Sequence, residues 1–542
     1  MSATNMNKAT LMQRVLPRVA TAAGLWLAAV AQAAAPGITG GTGGTATFNL
    51  TAGPAFLSQP DGQAVYSWGY GCNGAPAGFA PRPGGTTDLA NANCPTMQVP
   101  GPTLIVTEGD AVTVNLSNQL PAAAGNTSIL FPGFQVTSPP GSGVRGLLTQ
   151  EAAPSGSVTY TFTASSPGTR AYYSGTQGDL QVEMGLFGVI IVRPLHPPAA
   201  CTALNAVPAH YVAPGNAAEQ DFRLAPSAYD HPRTCYDREY LFQFSEMDPN
   251  IHNQAKDQVA AKTGCTAGAP GCSLEVATEP YHPAYFMING RSMPDDMDPN
   301  YAVQYPHQPY NGNPHMHPGE LTLLRIVGQG RWQHPFHEHG NHVRILARDG
   351  NLILSTASAT DPNLAGPLLF TTTTTPGQTM DGIFYWTGKG LNWDAYGHNP
   401  LSADPLAKRP CDGALAGYHS VTTDLNYYEW CQDHNKPLQA APFGDVAGGG
   451  PVTLPDPNLF TNGAWFGGSP YLGPNATVRA TGPTGTTPPS GTIANPPTSE
   501  AGFAFMWHSH NEREITTNNI FPGGMLMMML VDSREFMIDE SN

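Results

Sequence analysis

Two short segments, His334-Pro-Phe-His-Glu-His339-Gly340 and His508-Ser-His510, place imidazoles at i and i+2. Alternate side chains of a β-strand share a face, so His337 projects with His339 and His508 with His510. Two neighbouring strands carrying such pairs would converge four imidazoles, a donor set suited to Cu, Zn, Fe or Ni. The same parity sends His334 and Ser509 to the opposite faces, where a second site could lie. The plain alternative, hydrogen-bonded or surface histidines, suits one such pair better than two in the same inferred domain. Glu338 and Glu514 fall on or near the face of His334 and offer it either a site for a harder ion or, more simply, a hydrogen bond. His315-Met-His317 could handle copper but reads more simply as an exposed loop, and Met525, Met527, Met528 and Met529 read as core filling. Nothing resembles a Ser-His-Asp hydrolase elbow, a phosphate loop or a dinucleotide fingerprint.

Strands must position these residues. After a Gly-rich lead-in at 37–44, strand-like runs start at Thr45, Leu104, Ala111, Ser157 and Gly188, separated by turn residues such as Glu108-Gly109-Asp110. A second set starts at Glu239, Leu321, His342, Gly382, Phe503 and Met525. Between them the pattern predicts an all-β chain of two sandwiches, residues 45–195 and 236–542, joined through about 193–238. The periodicity lapses over about 391–500, which reads as a long loop-rich insertion, with a degenerate third domain as the alternative. No helix of useful length is expected.

Composition agrees with that architecture. In 542 residues there are 60 Gly and 53 Pro and only 12 % charged residues, which favours turns over helices. A formal net charge of −16 argues against nucleic acid or an anionic membrane surface as a partner. Lys8, Arg14 and Arg18 precede an apolar run, about Val19 to Val30, that ends in Ala31-Gln32-Ala33-Ala34. Residues 1–33 therefore read as an export signal, too short to span a membrane and followed by no spanning stretch, and the mature chain is expected in the periplasm or secreted. In an oxidising compartment the eight cysteines read as disulfide staples, with pairing in chain order the simplest of 105 connectivities.

Longer segments carry a family resemblance. Val99-Pro-Gly-Pro-Thr-Leu-Ile-Val-Thr-Glu-Gly-Asp-Ala-Val-Thr-Val-Asn-Leu, Thr149-Gln150, Ile288-Asn-Gly-Arg-Ser-Met-Pro, Gly319-Glu-Leu-Thr-Leu-Leu-Arg-Ile-Val and His334-Pro-Phe-His-Glu-His-Gly resemble the multicopper oxidases, the laccase-type family of linked cupredoxin domains. The resemblance covers about 45–192 and 239–531. It implies Greek-key cupredoxin-like sandwiches and copper as the cofactor, with zinc the alternative for an imidazole set. His337 then resembles a type 2 ligand, and His339, His508 and His510 resemble type 3 ligands.

The departures are equally specific. Leu130-Phe131-Pro132-Gly133 stands where the family has His-Trp-His-Gly, and Ala171-Tyr172-Tyr173-Ser174-Gly175 stands where it has Trp-Tyr-His-Ser-His. Four first-domain ligands are thus missing. The blue site's Cys and second His are replaced by Ser509 and Glu514, so only His334 of that set remains. Without a thiolate there is neither a blue chromophore nor its electron path. Ordinary laccase chemistry is therefore not expected.

The expected function is a copper-dependent oxidoreductase with a reduced, non-blue site at His337, His339, His508 and His510. Its small-molecule partners would be dioxygen or an organic, for instance phenolic, reductant. Tyr173 is the candidate catalytic residue, against the alternative of simple packing. Leu130, Pro132, Tyr173 and Gly175 either open a pocket or collapse into core. A non-catalytic copper-binding or structural protein is the other function class, and homo-oligomerisation is left open.

Overall fold

In a computed structural model of the chain, the described residues are 35–80, 94–204, 222–355, 363–389 and 502–532, with short pieces between 417 and 494 and at 536 and 538. The export-signal reading at 1–33 and most of the 391–500 insertion lie outside them. The fold is all-β, as the alternation predicts. Ala111–Asn118 and Ser157–Thr163 alternate buried and open positions residue by residue, the mark of a sheet with one face in the core.

The first sandwich pairs two sheets. Ala64–Cys72, Thr45–Ser58, Ala111–Asn118 and Ser157–Thr163 form one, in that order. Gly168–Tyr173, Phe187–Arg193 and Leu104–Thr107 lead the other. Apolar side chains from both faces, among them Phe48, Leu50, Trp68, Val114, Phe131 and Tyr172, fill the space between. The strand Ala64–Cys72 is missing from the sequence reading because it gives no polar alternation: eight of its nine residues are buried.

In the second sandwich one sheet runs Tyr285–Ile288, Arg238–Met247, Leu321–Gly328, Thr379–Tyr385 and Val343–Arg348. The facing sheet runs His315–Met316, Leu526–Asp532, Gly502–Ser509, His334–His337 and Thr371–Thr374. Met525, Met527 and Met529 lie between them with Phe336, Phe505 and Trp507, so this stripe is core. Two expectations need correction. A 13-residue helix, Pro249–Ala261, follows the Arg238–Met247 strand, opened by Asp248, whose side chain accepts from Asn250 N, and by Pro249 at the first helical position. Its inward face is only Ile251, His252 and Ala255, too weak an apolar stripe to register in the sequence. Within the insertion, Gly468–Tyr471 adds an edge strand to Gly502–Ser509.

The two sandwiches share buried surface. Ile105, Ala171, Val189 and Ile191 of the first pack on Leu241 and Val327 of the second, and Val99 and Phe187 pack on Met247, Tyr285 and Met287. That explains why Arg238–Met247 is buried at every position and Phe187–Arg193 at all but one. At the turn Asn289-Gly290, a Cβ on Gly290 would lie 2.1 Å from Val99 O, so only glycine permits this approach.

Asp381 is the polar junction of the interface. It accepts from Thr169 Oγ1 (2.6 Å) and Tyr229 Oη (2.5 Å), and Arg325 Nη1 stands 3.8 Å away while bonding Thr169 Oγ1 at 3.0 Å. Asp381→Ala leaves two buried donors without their acceptor and should cost about 3 kcal/mol. A urea midpoint unchanged from the parent would refute that role.

The disulfides Cys72–Cys94, Cys201–Cys235 and Cys265–Cys272 follow chain order. No helix among the described residues is long and apolar enough to cross a membrane.

Candidate metal centre

Strand register brings the histidine pairs together. His334–His337 and Gly502–Ser509 run antiparallel with His337 opposite His508, and the ladder continues as His510 N donates to Pro335 O at 2.8 Å. Both pairs share one face. The His337 ring centroid lies 4.9 Å from that of His339, 5.5 Å from His508 and 4.7 Å from His510. His339 and His508 are 5.1 Å apart, with their Nε2 atoms at 3.3 Å.

Two of the rings are oriented from behind. His508 Nδ1 donates to Ser509 O (2.7 Å), which fixes that ring's proton on Nδ1 and turns a lone pair at Nε2 towards His339. His337 Nδ1 is held against Thr371 Oγ1 at 2.6 Å. Burial, and then its three imidazole neighbours, pushes the His337 pKa down to about 3. Burial also lowers that of His508. These rings are therefore neutral at physiological pH, the form that ligates metals.

Two nitrogens about 2.0 Å from one ion at a tetrahedral angle would stand about 3.3 Å apart, which is the His339–His508 spacing. Among the described residues no three His, Cys, Asp or Glu side chains are already arranged to close around an ion. The donors thus fit copper in kind, with His339 and His508 at ligand spacing and His337 and His510 required to turn. His510, 53 % exposed, forms the open rim.

His334 does not join them. On the inward face its Nε2 bonds Glu246 Oε2 at 2.9 Å and its Nδ1 meets Glu514 Oε2 at 2.9 Å, while Ser509 Oγ donates to the same Glu514 oxygen at 2.5 Å. Burial alone would depress the His334 pKa, but these two carboxylates overcome it and hold it up at about 9. An imidazolium clamped between carboxylates therefore occupies the position where the family resemblance would put a blue site. Glu338 turns out not to serve His334: it bonds Thr372 Oγ1 at 3.0 Å, and burial raises its pKa to about 8.

Sequence reasoning missed Glu246, which also accepts from the backbones of Arg331 and Trp332 and from Tyr281 Oη. A carboxylate near the end of a strand buried at every position was the available signal. His315 and His317 are buried, contrary to the exposed-loop expectation. His315 Nδ1 meets Asp532 Oδ2 at 2.7 Å as its strand pairs with Leu526–Asp532. Tyr173 ends the Gly168–Tyr173 strand, bridged to Leu130, and none of its described contacts is with the four imidazoles.

Residues 89–197 match the family described as Multicopper oxidase. The first sandwich thus carries a segment that matches the multicopper oxidase family. Laccase abr2 of Aspergillus fumigatus is 37 % identical over 98 residues, 18 % of this chain and 16 % of that protein. Multicopper oxidase MCE of Talaromyces pinophilus is 38 % identical over 98 residues, 18 % of this chain and 15 % of that one. The match spans about a sixth of the length of these relatives. Among solved structures, Multicopper Oxidase mgLAC is similar over 90 % of this chain and 86 % of its own, at 16 % identity and a TM-score of 0.42. Leu130 to Gly133 and Ala171 to Gly175, the segments lacking histidine, fall inside the matched multicopper oxidase domain.

Proposed function

We propose that this chain is an exported copper-binding oxidoreductase whose site is the four-imidazole face of His337, His339, His508 and His510. The observation that carries the reading is the 3.3 Å approach of His339 and His508 Nε2 within a cluster whose His337 and His508 rings are kept neutral by burial. Copper bound there would supply a one-electron couple between its cuprous and cupric states. Thr371 and the Ser509 carbonyl hold two of the rings in place. Phe370, 42 % exposed and set edge-on to His337 and His342, offers an aromatic surface at the rim against which an organic reductant can lie. Dioxygen or an organic reductant would be the reacting partner.

Export rests on the segment before Ala34 and is compatible with the three disulfides. The charged lock at His334 favours a second reading, a copper-binding protein without turnover, because nothing there can pass electrons to the cluster.

Copper content, absorption and electron paramagnetic resonance of the mature chain separate these readings. One copper with nitrogen ligands, lost in His508→Ala, and oxidation of phenols that disappears in His337→Ala, is the expected result. Copper without turnover leaves the second reading standing, and a protein that takes no copper refutes both.

A further inference from the structure

A cavity of about 290 Å³ lies where the first domain lacks its histidines. Leu130, Leu148, Tyr173, Gly175 and Val182 line it from that domain, and Gly330 and Arg331 close it from the second. The ligand positions have therefore opened in part: Leu130, Tyr173 and Gly175 border space, while Pro132 does not. A Cβ at Gly175 would lie 2.7 Å from Leu130 Cγ, so these two residues pack into a fixed floor.

Two polar groups border this apolar space. The Arg331 guanidinium lies over the Tyr281 ring at 4.1 Å and donates from Nη1 to Thr278 O at 2.9 Å. Its one described counter-charge is Glu279, 2.8 Å from Nη2 and 71 % exposed, a pairing that solvent screens. Its backbone N is fixed on Glu246 at 2.7 Å. The cation is thus held in position, with a carboxylate partner that is itself exposed to solvent.

The second group is the Tyr173 hydroxyl. The neighbouring hydroxyls of Tyr70, Tyr160 and Tyr172 each donate to a backbone carbonyl, at 2.6, 2.7 and 2.7 Å. Tyr173 Oη has no hydrogen-bond partner among the described residues, and burial, with the Asp349 carboxylate in its neighbourhood, raises its pKa and keeps it a donor.

We infer that this interdomain cavity binds a small carboxylate with an apolar, single-ring body, the carboxylate meeting Arg331 and Tyr173 and the ring lying on Leu130, Leu148 and Val182. The volume sits at the lower end of ligand pockets, about 300–1,000 Å³, and suits one ring with a short tail. A guanidinium with a phenol donor selects a carboxylate over an alcohol of equal shape. The inference does not depend on copper in the histidine cluster.

Gly178 provides the test. It lines the cavity, and a Cβ there meets nothing within 4 Å, so Gly178→Leu places its side chain in open space. Calorimetric titration of the full chain with 3-phenylpropionate and with 3-phenylpropanol, both before and after copper loading, reads the site apart from the metal. Sub-millimolar binding of the acid is expected in either form, at least tenfold weaker in Gly178→Leu and in Arg331→Gln. The alcohol should bind weakly and be indifferent to Arg331→Gln. Leu148→Trp, at a position 65 % exposed, narrows the mouth and replaces Gly178→Leu if that variant loses its near-UV circular dichroism. No binding of the acid, equal binding of the alcohol, or undiminished affinity in the cavity-filling variant would overturn the inference.

Discussion

Copper-loaded Ser509→Cys/Glu514→His should turn intensely blue, while the parent chain shows no such band. The geometry for this is already present. Glu514 Oε2 lies 2.9 Å from His334 Nδ1 and 2.5 Å from Ser509 Oγ, and these three residues stand where the family resemblance puts a second histidine, a histidine and a cysteine. Met525 ties the two segments together, accepting from Ser509 N at 2.9 Å and donating to Glu514 O at 2.8 Å, so both substituted side chains stay aimed at His334. Glu246 remains on His334 Nε2 and orients the ring, as partners of ligating imidazoles do. The new thiolate supplies the charge-transfer absorption that serine cannot. A double variant that folds and takes up extra copper but stays colourless would show that these residues do not stand at a former blue site. An intense blue band in the parent would show the same.

Removing one carboxylate from the same cluster should be the most destabilising single change in the second sandwich. Glu246→Ala leaves the His334 imidazolium with one partner and strands two backbone N–H groups, while the Tyr281 hydroxyl keeps Glu183, for a loss of about 3–5 kcal/mol. The melting temperature should fall by roughly 10 °C. The pH dependence has a definite sign. His334 holds its proton up to about pH 9 when folded, against about 6.5 unfolded, so its contribution is complete below about pH 6.5 and is lost as pH rises towards 9. His334→Gln should lower stability most at pH 6 and flatten the decline between pH 6.5 and 9. If the variant and the parent instead lose stability in parallel across that window, His334 carries no proton in the folded chain.

Much of this could be read from the residues alone. The face-sharing of His337 with His339 and of His508 with His510 follows from strand parity, and so does the separation of His334 from them. Which strands are neighbours does not: the pairing of His337 with His508 joins segments 171 residues apart, with a long insertion between. Glu246 lies 88 residues from His334, and no local pattern links them. Burial of His315 and His317 was hidden for a similar reason. Two histidines among prolines read as loop until Asp532, 217 residues away, is seen to receive one of them. The Pro249–Ala261 helix was missed because packing, not intrinsic amphipathicity, holds it.

The clamp around His334 also bears on which changes this chain could accumulate. Ser509→Cys alone leaves Glu514 beside a thiol that cannot replace the serine's short hydrogen bond, and Glu514→His alone sets two imidazoles side by side with only Glu246 to balance them. Each single step passes through a less stable protein, and only the pair restores a coherent set of ligands. With imidazolium and carboxylates interlocked, a blue protein lies across a valley that one substitution at a time does not readily cross, so the proton held here acts as a ratchet against a metal.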